Sequence, residues 1–358
     1  MTRPLLELRD LHKHFRLQAG PFAAKPLLRA VDGVDLTLHK GETLGLVGES
    51  GCGKSTLART VIRLHEPTSG RIVFDGEDVG AVPDRQLGRF RRRVQMIFQD
   101  PYASLNPRMS VGDLIAEPLV IAGIGTQADR RITVARLLDR VGLPSDAAQR
   151  FAHEFSGGQR QRIGIARAIA LEPDLVICDE PISALDVSVQ AQVVNMLEDL
   201  QADLGLTYLF ITHDLSMVRH ISDRIGVMYL GKIVELATSA DLYHRPSHPY
   251  TRALLSAIPV PDPEAARPAE SIQGEIPSAI DIPSGCRFRT RCPLAVELCV
   301  RCTILATDTC PPAILPKSWP PKSARTRHHN RRERNEQNGL AVADGSPACL
   351  DRRGLCCR

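Results

Sequence analysis

The sequence predicts an α/β fold built on a mostly parallel core sheet. Short apolar segments at residues 175–179, 207–212 and 225–230 alternate with segments that have helical spacing. Such alternation is typical of a parallel sheet covered by helices on both faces. A glycine-rich loop at residues 48–56 lies between a further apolar segment and a predicted helix, which favours the same fold class. The chain has 358 residues and shows no internal repeat, so we expect a single domain of this type.

Two segments near the N-terminus predict an antiparallel β subdomain. Apolar and polar residues alternate over residues 5–11 and 31–38, and glycine and proline residues separate the two segments. Alternation of this kind is typical of half-buried strands joined by a loop. Phe15 follows the first segment. An exposed ring at this position would stack on an adenine base, whereas a buried ring would be an ordinary core residue.

The glycine-rich loop matches the phosphate-binding pattern GxxxxGK[ST] at Gly48, Gly53, Lys54 and Ser55. Glycines let successive backbone N–H groups point at phosphate oxygens, and the following helix adds the positive end of its dipole. We expect Lys54 to reach the outer phosphates and Ser55 to offer its hydroxyl to Mg²⁺. The alternative is a glycine-rich turn without a ligand. The pattern predicts a P-loop NTPase fold with the following candidate ATP-binding residues: Gly48, Glu49, Ser50, Gly51, Cys52, Gly53, Lys54, Ser55 and Thr56.

The segments after the loop predict a helical insertion between strands. We expect a helix over residues 57–64, a short strand over 71–74 and a buried strand over 94–99. From about residue 100 to residue 165 the apolar residues have helical spacing and give no strong strand signal. Prolines and then cysteines accumulate past residue 256, which marks a change in the organisation of the chain.

An acidic pair follows the buried segment LVIC, at Asp179 and Glu180. At the carboxyl end of such a strand Asp179 would hold Mg²⁺ through water, and Glu180 would polarise an attacking water molecule. The alternative is an acidic N-cap of the next helix. The phosphate-binding pattern upstream favours the catalytic interpretation.

Residues 155–162, FSGGQRQR, are the most specific stretch in the chain. Ser156 and the two glycines after it would open a helix over residues 157–171, and they would form a second N-terminal anion site. The octet resembles the SGGQ motif of the ATP-binding subunits of ABC transporters, which completes the ATP site of a partner subunit. The resemblance implies four candidate ATP contacts, namely Ser156, Gly157, Gly158 and Gln159. The alternative is a capped surface helix.

Other positions match further motifs of the same family. Gln99 resembles the glutamine that contacts Mg²⁺ and water and transmits motion to the membrane subunits. Residues 183–186 resemble the loop that crosses between two ATPase subunits, which makes Asp186 a candidate ATP contact. His213 resembles the histidine that contacts the γ-phosphate and orients Glu180, although a single histidine after a strand is more often structural. Phe15 is similar to the aromatic residue that stacks on adenine.

Two stretches beyond the ATP motifs narrow the resemblance. Residues 244–259 (HRPSHPYTRALLSAIP) and 285–295 (GCRFRTRCPLA) resemble the peptide and nickel importers, and within them the F-type second ATPase subunit. This implies an ATPase at the cytoplasmic face of the inner membrane that energises import of dipeptides or oligopeptides. It also implies a set of partners: a second and different ATPase subunit, two transmembrane permease subunits, and a periplasmic or extracellular substrate-binding protein.

The C-terminal part differs from the rest in cysteine content and charge. Only Cys52 and Cys178 precede Cys286, so eight of the ten cysteines lie at or after that position. Residues 314–358 contain ten Lys or Arg and four Asp or Glu, so the remainder carries a net charge of −2 although the whole chain carries +4. Because the net positive charge is confined to the C-terminal part, it is weak support for nucleic-acid binding by the whole chain. The placement of the cysteines favours metal binding over disulfide formation.

The late cysteines leave three interpretations open. In the importer family, cysteines that match Cys286, Cys292 and Cys299 hold a 4Fe-4S cluster together with a fourth one, and thiolates are the ligands of such clusters. Here Cys302 and Cys310 follow at a spacing that departs from the family pattern. The site is therefore an iron–sulfur cluster, a zinc site or a set of free thiols, or a defective site.

Three predicted regions follow: an ABC ATPase domain at 1–255, a C-terminal extension at 256–312, and a basic, disordered tail at 313–358. No long apolar run opens the chain, and the least polar stretch, 114–125, is too short to span a bilayer, so other chains would hold the protein at a membrane. An ABC ATPase that acts on nucleic acid or ribosomes is the alternative function, but the chain shows neither a second nucleotide domain nor a DNA-binding insertion. A non-hydrolysing regulatory subunit is disfavoured because Lys54, Glu180 and His213 are all present.

Overall fold

The structure, a computed structural model, describes residues 3–18, 26–258 and 274–301, which belong to one compact unit. Cys302, Cys310 and the predicted tail at 313–358 lie outside the described residues. The strands are β1 Pro4–Arg16, β2 Leu27–His39, β3 Thr43–Val47, β4 Ser69–Phe74, β5 Glu77–Asp78, β6 Val94–Ile97, β7 Leu175–Asp179, β8 Thr207–Ile211, β9 Arg224–Tyr229 and β10 Lys232–Thr238.

The helices are α1 Lys54–Val61, α2 Gly88–Arg93, α3 Pro101–Ser104, α4 Val111–Ile121, α5 Gln127–Arg140, α6 Gly157–Ile169, α7 Val187–Leu204, α8 Leu215–Ile221, α9 Ser239–His244, α10 Pro249–Ser256 and α11 Leu298–Arg301. Short 3₁₀ helices lie at Asp84–Gln86, Ser145–Gln149 and Ala152–Glu154. No helix in the described part of the chain is both long enough and apolar enough to cross a membrane.

The core is a six-stranded sheet with the order β10-β9-β3-β8-β7-β6. Every pair from β9 to β6 is parallel, and only β10 runs antiparallel to its neighbour β9. Every residue of β3, β7 and β8 is buried, which explains why these strands are short apolar runs without alternation. The predicted parallel core sheet is confirmed.

The second sheet is antiparallel, with the order β2-β1-β4-β5. In its register Leu8 lies opposite Leu36 and Leu6 lies opposite Phe74, so apolar side chains share one face. These side chains pack on α1 and on one face of the core sheet. The alternating segments of the sequence therefore form the predicted antiparallel subdomain.

Helices α3 to α6 lie between β6 and β7 in the chain, where the sequence predicts the helical insertion. Helix α4 begins at the N-cap Ser110, whose side chain accepts a hydrogen bond from the N–H of Asp113. Helix α5 begins with a capping box between Thr126 and Asp129. The buried faces of α4, α5 and α6 share one apolar core with β7 and β8, so the insertion is packed on the sheet.

Several predicted boundaries are wrong by a few residues. Helix α1 begins at Lys54 and ends at Val61, whereas the sequence predicted residues 57–64, because the end of the phosphate loop already has helical backbone. Strand β6 ends at Ile97, two residues before Gln99. Helix α6 ends at Ile169 rather than at residue 171.

Strands β9 and β10 are joined by the two-residue turn Leu230–Gly231. Both residues have positive φ, 44° and 81°, as in the turns whose twist matches that of a hairpin. The N–H of Gly231 donates to the carbonyl oxygen of Cys52 at 2.8 Å, and its own carbonyl accepts from the N–H of Asp32 at 2.9 Å. The turn therefore connects the phosphate loop to the antiparallel sheet.

Candidate functional site

The phosphate loop, residues 48–56, leads from the carboxyl end of β3 into α1. Gly53 has φ 110°, and a Cβ atom there would lie 2.1 Å from the carbonyl oxygen of Ala30, so only glycine fits. Lys54 is buried, and its Nζ donates to the carbonyl oxygens of Gly48 at 2.7 Å and Glu49 at 3.1 Å. The ammonium group thus lies within the curl of the loop.

Ser55 and Asp179 meet across the site. The Ser55 hydroxyl donates to Oδ1 of Asp179 at 2.8 Å. Asp179 is only 1% exposed, and burial raises the pKa of its carboxyl above the usual range, although the hydrogen bond from Ser55 acts to lower it. A buried carboxylate beside a hydroxyl is a set of oxygen ligands suited to Mg²⁺, whose charge would compensate the burial. The two residues therefore fit the predicted metal position.

Three predicted catalytic residues converge after the strands that carry them. The Glu180 carboxylate accepts a hydrogen bond from Nε2 of Gln99 at 2.8 Å, and Nδ1 of His213 lies 3.5 Å from its other oxygen. Glu180 has φ 47°, a strained conformation for a residue with a side chain, and its N–H donates to the carbonyl oxygen of Ile211 at 2.9 Å. The end of β8 thus holds the backbone from which Glu180 projects.

Phe15 lies at the end of β1 and is half-buried, so it is not a core residue. Its ring contacts His65 edge to face, with the ring centroids 5.5 Å apart, and Nζ of Lys13 lies 4.8 Å from its centroid. The alternative of an ordinary core phenylalanine is not supported by this placement.

The SGGQ stretch forms the N-terminus of α6. Ser156 is the N-cap, and a capping box links it to Gln159, with N–H to side-chain oxygen distances of 3.0 and 3.4 Å. A Cβ atom on Gly158 would lie 2.5 Å from Cγ1 of Val189 in α7, so the second glycine is required by helix packing. The N-cap and the helix packing explain why serine, glycine and glutamine occur at positions 156, 158 and 159. Ser156 and Gln159 are nevertheless exposed.

Within the part of the chain that the structure describes, no hydrogen bond or ion pair joins residues 156–159 to the phosphate loop. Asp186 is exposed and is the N-cap position of α7, next to Val187, which is 82% exposed. The SGGQ stretch and Asp186 thus lie at the surface, whereas Gln99, Glu180 and His213 form one group.

Two residues that contact the phosphate loop were not predicted from the sequence. The Tyr250 hydroxyl accepts a hydrogen bond from the N–H of Glu49, and the Arg291 guanidinium pairs with the Glu49 carboxylate. Both belong to stretches that carry the resemblance to the peptide importers. The signal was present in these motifs, but a pattern alone does not tell which residue they contact.

Cys286 and Cys299 are buried and Cys292 is half-buried. The N–H of Cys286 donates to the carbonyl oxygen of Cys299 at 2.9 Å. Burial raises the pKa of the Cys292 thiol, and the neighbouring Cys286 and Cys299 raise it further. Among the described residues, the trio whose ligand atoms lie within 4.8 Å of one another is His12, His14 and Asp32, not the cysteines, so these thiols are not pre-assembled around a single ion.

Two family models match the chain. The model described as ABC transporter matches residues 31–183, which span the phosphate loop, the SGGQ stretch and the acidic pair. The model described as oligopeptide/dipeptide transporter, C-terminal region, matches residues 234–299, which include Tyr250, Arg291 and the three described cysteines.

Relatives and solved structures agree with these models. A Brucella ovis protein, named as a candidate peptide import ATP-binding protein, is 57% identical over 296 residues, which cover 83% of this chain and 92% of the relative. The oligopeptide transport ATP-binding protein AppF of Bacillus subtilis is 55% identical, with coverages of 82% and 91%. A dimeric ATP-binding cassette in a post-hydrolysis state with ADP and Pi is 27% identical, with a TM-score of 0.59 over 65% of this chain and 98% of that one.

Proposed function

We propose a mechanism on the premise that this chain belongs to the ATP-binding subunits of ABC transporters, in the oligopeptide and dipeptide branch. The chain is an ATPase subunit that energises peptide import. The names of relatives 55–57% identical to it support this activity, and the alternative of an ABC ATPase acting on nucleic acid is not favoured. ATP and Mg²⁺ are the ligands that this activity uses.

We place the ATP phosphates in the phosphate loop, with Lys54 at the outer phosphates and the adenine against Phe15. Ser55 and Asp179 would hold Mg²⁺, supported by their 2.8 Å contact and by the burial of the carboxylate. The metal would supply Lewis-acid stabilisation of the charge that develops on the transferring phosphoryl group.

The group of Glu180, Gln99 and His213 is the single observation that carries the mechanism. Glu180 would accept the proton of the attacking water, since it directly follows the buried Asp179 in the chain and its carboxylate accepts a hydrogen bond from Gln99 at 2.8 Å. His213, 3.5 Å from the same carboxylate, would orient it and contact the γ-phosphate. Positioning and charge stabilisation would carry most of the rate acceleration.

The second half of the ATP site would come from another ATPase subunit. The exposed Ser156 and Gln159 support this arrangement, as does the dimeric state of the ATP-binding cassettes with similar folds. Asp186 and the loop before it would cross between the two subunits. We propose a different chain as the partner, with two permease subunits and a substrate-binding protein completing an importer at the cytoplasmic face of the membrane.

The finer assignments of the C-terminal region are proposals too. We divide the chain into an ATPase domain at 1–255, an extension at 256–312 and a tail at 313–358. Of the three open interpretations, we propose a 4Fe-4S cluster at Cys286, Cys292 and Cys299, supported by the burial of Cys286 and Cys299; binding it would require the three sulfur atoms to move closer together. Iron and acid-labile sulfide would be measured on anaerobically purified protein, and substoichiometric iron would exclude the cluster.

The function is tested in the assembled transporter in lipid vesicles, with ATP hydrolysis and peptide uptake measured together. We expect Glu180→Gln to lower both rates about 10²- to 10⁴-fold, the range for loss of a positioned general base. Asp203→Asn, at an exposed acidic residue of α7, serves as the matched control and should keep the parent rates. Parent-like hydrolysis by Glu180→Gln would contradict the assignment of the base.

A further inference from the structure

Two residues from the C-terminal part of the chain form hydrogen bonds to Glu49 of the phosphate loop. The two oxygens of its carboxylate accept hydrogen bonds from the two Nη atoms of Arg291, at 2.7 and 3.0 Å. Its backbone N–H donates to the Tyr250 hydroxyl at 2.9 Å. Both partners lie within residues 234–299, which match the model described as oligopeptide/dipeptide transporter, C-terminal region. Neither of them takes part in the ATP chemistry described above.

Glu49 occupies a position that controls the shape of the loop. Its carbonyl oxygen accepts hydrogen bonds from Lys54 Nζ at 3.1 Å and from the N–H of Cys52 at 3.3 Å. A displacement of Glu49 would therefore move the carbonyl groups around which Lys54 is arranged. The backbone that is to receive phosphate oxygens depends on how firmly Glu49 is held.

Tyr250 is held rigidly by its surroundings. His248 caps α10 by accepting from the N–H of Tyr250 at 3.1 Å, and Pro249 occupies the first turn, where its missing N–H costs nothing. The Glu235 carboxylate fixes the backbone before the helix by accepting from the N–H of His248 at 2.9 Å. The Tyr250 ring is fully buried against Phe288, with the ring centroids 5.3 Å apart.

Arg291 is half-buried as a whole residue, but only 6% of its side chain is exposed. The Glu49 carboxylate raises the pKa of this guanidinium above its usual range, so Arg291 keeps its positive charge. A two-pronged arginine–carboxylate pair in such surroundings fixes geometry as well as charge. The pair therefore neutralises an acidic side chain at the edge of a loop that must accept a highly negative triphosphate.

We propose that Arg291 and Tyr250 are positioning residues that brace Glu49, so that the C-terminal region neutralises and shapes the phosphate loop for ATP binding. The inference rests on the proposed function, because it requires ATP phosphates in this loop. The HPYT stretch, which contains Tyr250, and the CRFRTRC stretch, which contains Arg291, would then contribute directly to the affinity for the nucleotide. Arg291 neutralises Glu49, while Tyr250 fixes its backbone.

The proposal is tested by MgATP binding to the full-length chain, measured by calorimetry. We expect Arg291→Gln to weaken MgATP binding about tenfold, since one uncompensated charge within about 10 Å costs this much at an effective dielectric constant near 20. The double variant Glu49→Gln, Arg291→Gln removes the uncompensated charge and should return the affinity to within about threefold of the parent. Salt screens charge, so the single variant's deficit should shrink as ionic strength rises.

Two further variants separate positioning from folding. Arg291→Lys keeps the positive charge and should bind MgATP more tightly than Arg291→Gln, while Tyr250→Phe keeps the ring packing and should weaken binding a few-fold. In the assembled transporter these changes should raise KM for ATP and leave kcat near the parent value, because Glu180 and His213 are intact. Urea unfolding of each variant shows whether the fold is retained.

The outcomes are distinct. Parent-like MgATP affinity in Arg291→Gln would overturn the proposal, and so would a double variant that binds as weakly as the single one. If Arg291→Gln does not fold, the affinities of Arg291→Lys and Tyr250→Phe decide, and parent-like values for both would reject it. A parent chain that does not bind MgATP would refute the proposed function itself, whatever the variants do.

Discussion

At the scale of single residues, Asp179 combines a functional position with a cost to stability. Its carboxyl is buried and has a raised pKa, so the ionised form is less favourable in the folded protein than in the unfolded chain. This cost is fully present above the folded pKa, begins to fall as the pH drops below that value, and should be gone below the pKa of the unfolded chain. The folded state is therefore more stable when this carboxyl is neutral, whereas Mg²⁺ binding requires it to be ionised.

We expect Asp179→Asn to raise the free energy of unfolding by about 1 kcal/mol at pH 7 in the absence of Mg²⁺, since the amide removes the buried charge and still accepts from Ser55. The same variant should lose Mg²⁺-dependent ATP hydrolysis. Urea unfolding in EDTA and an ATPase assay measure the two effects. A destabilised Asp179→Asn protein would show that burial is not the dominant influence on this carboxylate.

The convergence of Gln99, Glu180 and His213 could be predicted because each follows a strand of a parallel sheet, and the carboxyl ends of such strands meet at one edge. The contact between Glu49 and Tyr250 could not, because it joins residues 201 positions apart in different motifs. Sequence patterns readily predict which residues carry out the chemistry. They are less able to predict which distant residues hold those residues in place.

At the scale of elements, Asp32 links strand β2 to the C-terminal segment. Burial alone would raise the pKa of its carboxyl, but pairing with Arg287, together with His14 and His12, outweighs burial and lowers the pKa to about 2. A lowered pKa means that the ionised form stabilises the fold above the usual pKa and that this contribution is lost as the pH falls toward 2. The pair thus fastens the C-terminal segment to the antiparallel sheet.

We expect Asp32→Asn to lower the free energy of unfolding by about 1–2 kcal/mol at pH 7, once solvent screening is allowed for. The difference from the parent should stay constant down to about pH 5 and narrow below about pH 4. Denaturant unfolding over this pH range measures it. If the difference in the free energy of unfolding between variant and parent does not depend on pH, the charge of Asp32 contributes nothing to stability.

The packing of α6 on α7 leads to a second prediction at this scale. Gly158→Ala places a methyl group 2.5 Å from Cγ1 of Val189, which should cost about 1–3 kcal/mol in the free energy of unfolding. The double variant Gly158→Ala, Val189→Ala provides space for that methyl group and should recover part of the loss. A double-mutant cycle by urea unfolding measures the coupling. Independent, additive effects would contradict the proposed contact.

The elements that the sequence predicted well are those with strong patterns. Strands β3, β7 and β8 are fully buried and therefore appear as unbroken apolar runs. The sequence does not predict strand β10, because it is an edge strand with exposed and half-exposed positions and its apolar pattern is weak. The start of α1 was placed too late because the phosphate loop turns into helix at Lys54, before any apolar periodicity begins.

At the scale of the whole molecule, the exposed residues Ser156, Gln159 and Val187 support the proposal that a second subunit completes the ATP site. We expect the Glu180→Gln chain, mixed with the second ATPase subunit, to form dimers with MgATP and to remain monomeric in EDTA, as measured by sedimentation. Without the second subunit it should stay monomeric under both conditions, because the proposed partner is a different chain. Monomers in the MgATP mixture would contradict the shared site.

The hydrogen bonds from Tyr250 and Arg291 to Glu49 also have a consequence for the synthesis of the chain on the ribosome. Its partners Tyr250 and Arg291 come 201 and 242 residues later in the chain. At typical synthesis rates the ribosome needs on the order of tens of seconds to add that many residues. The phosphate loop, although encoded near the start, would therefore receive its final support only near the end of translation. Tight ATP binding would then signal that the chain has been synthesised at least as far as residue 291.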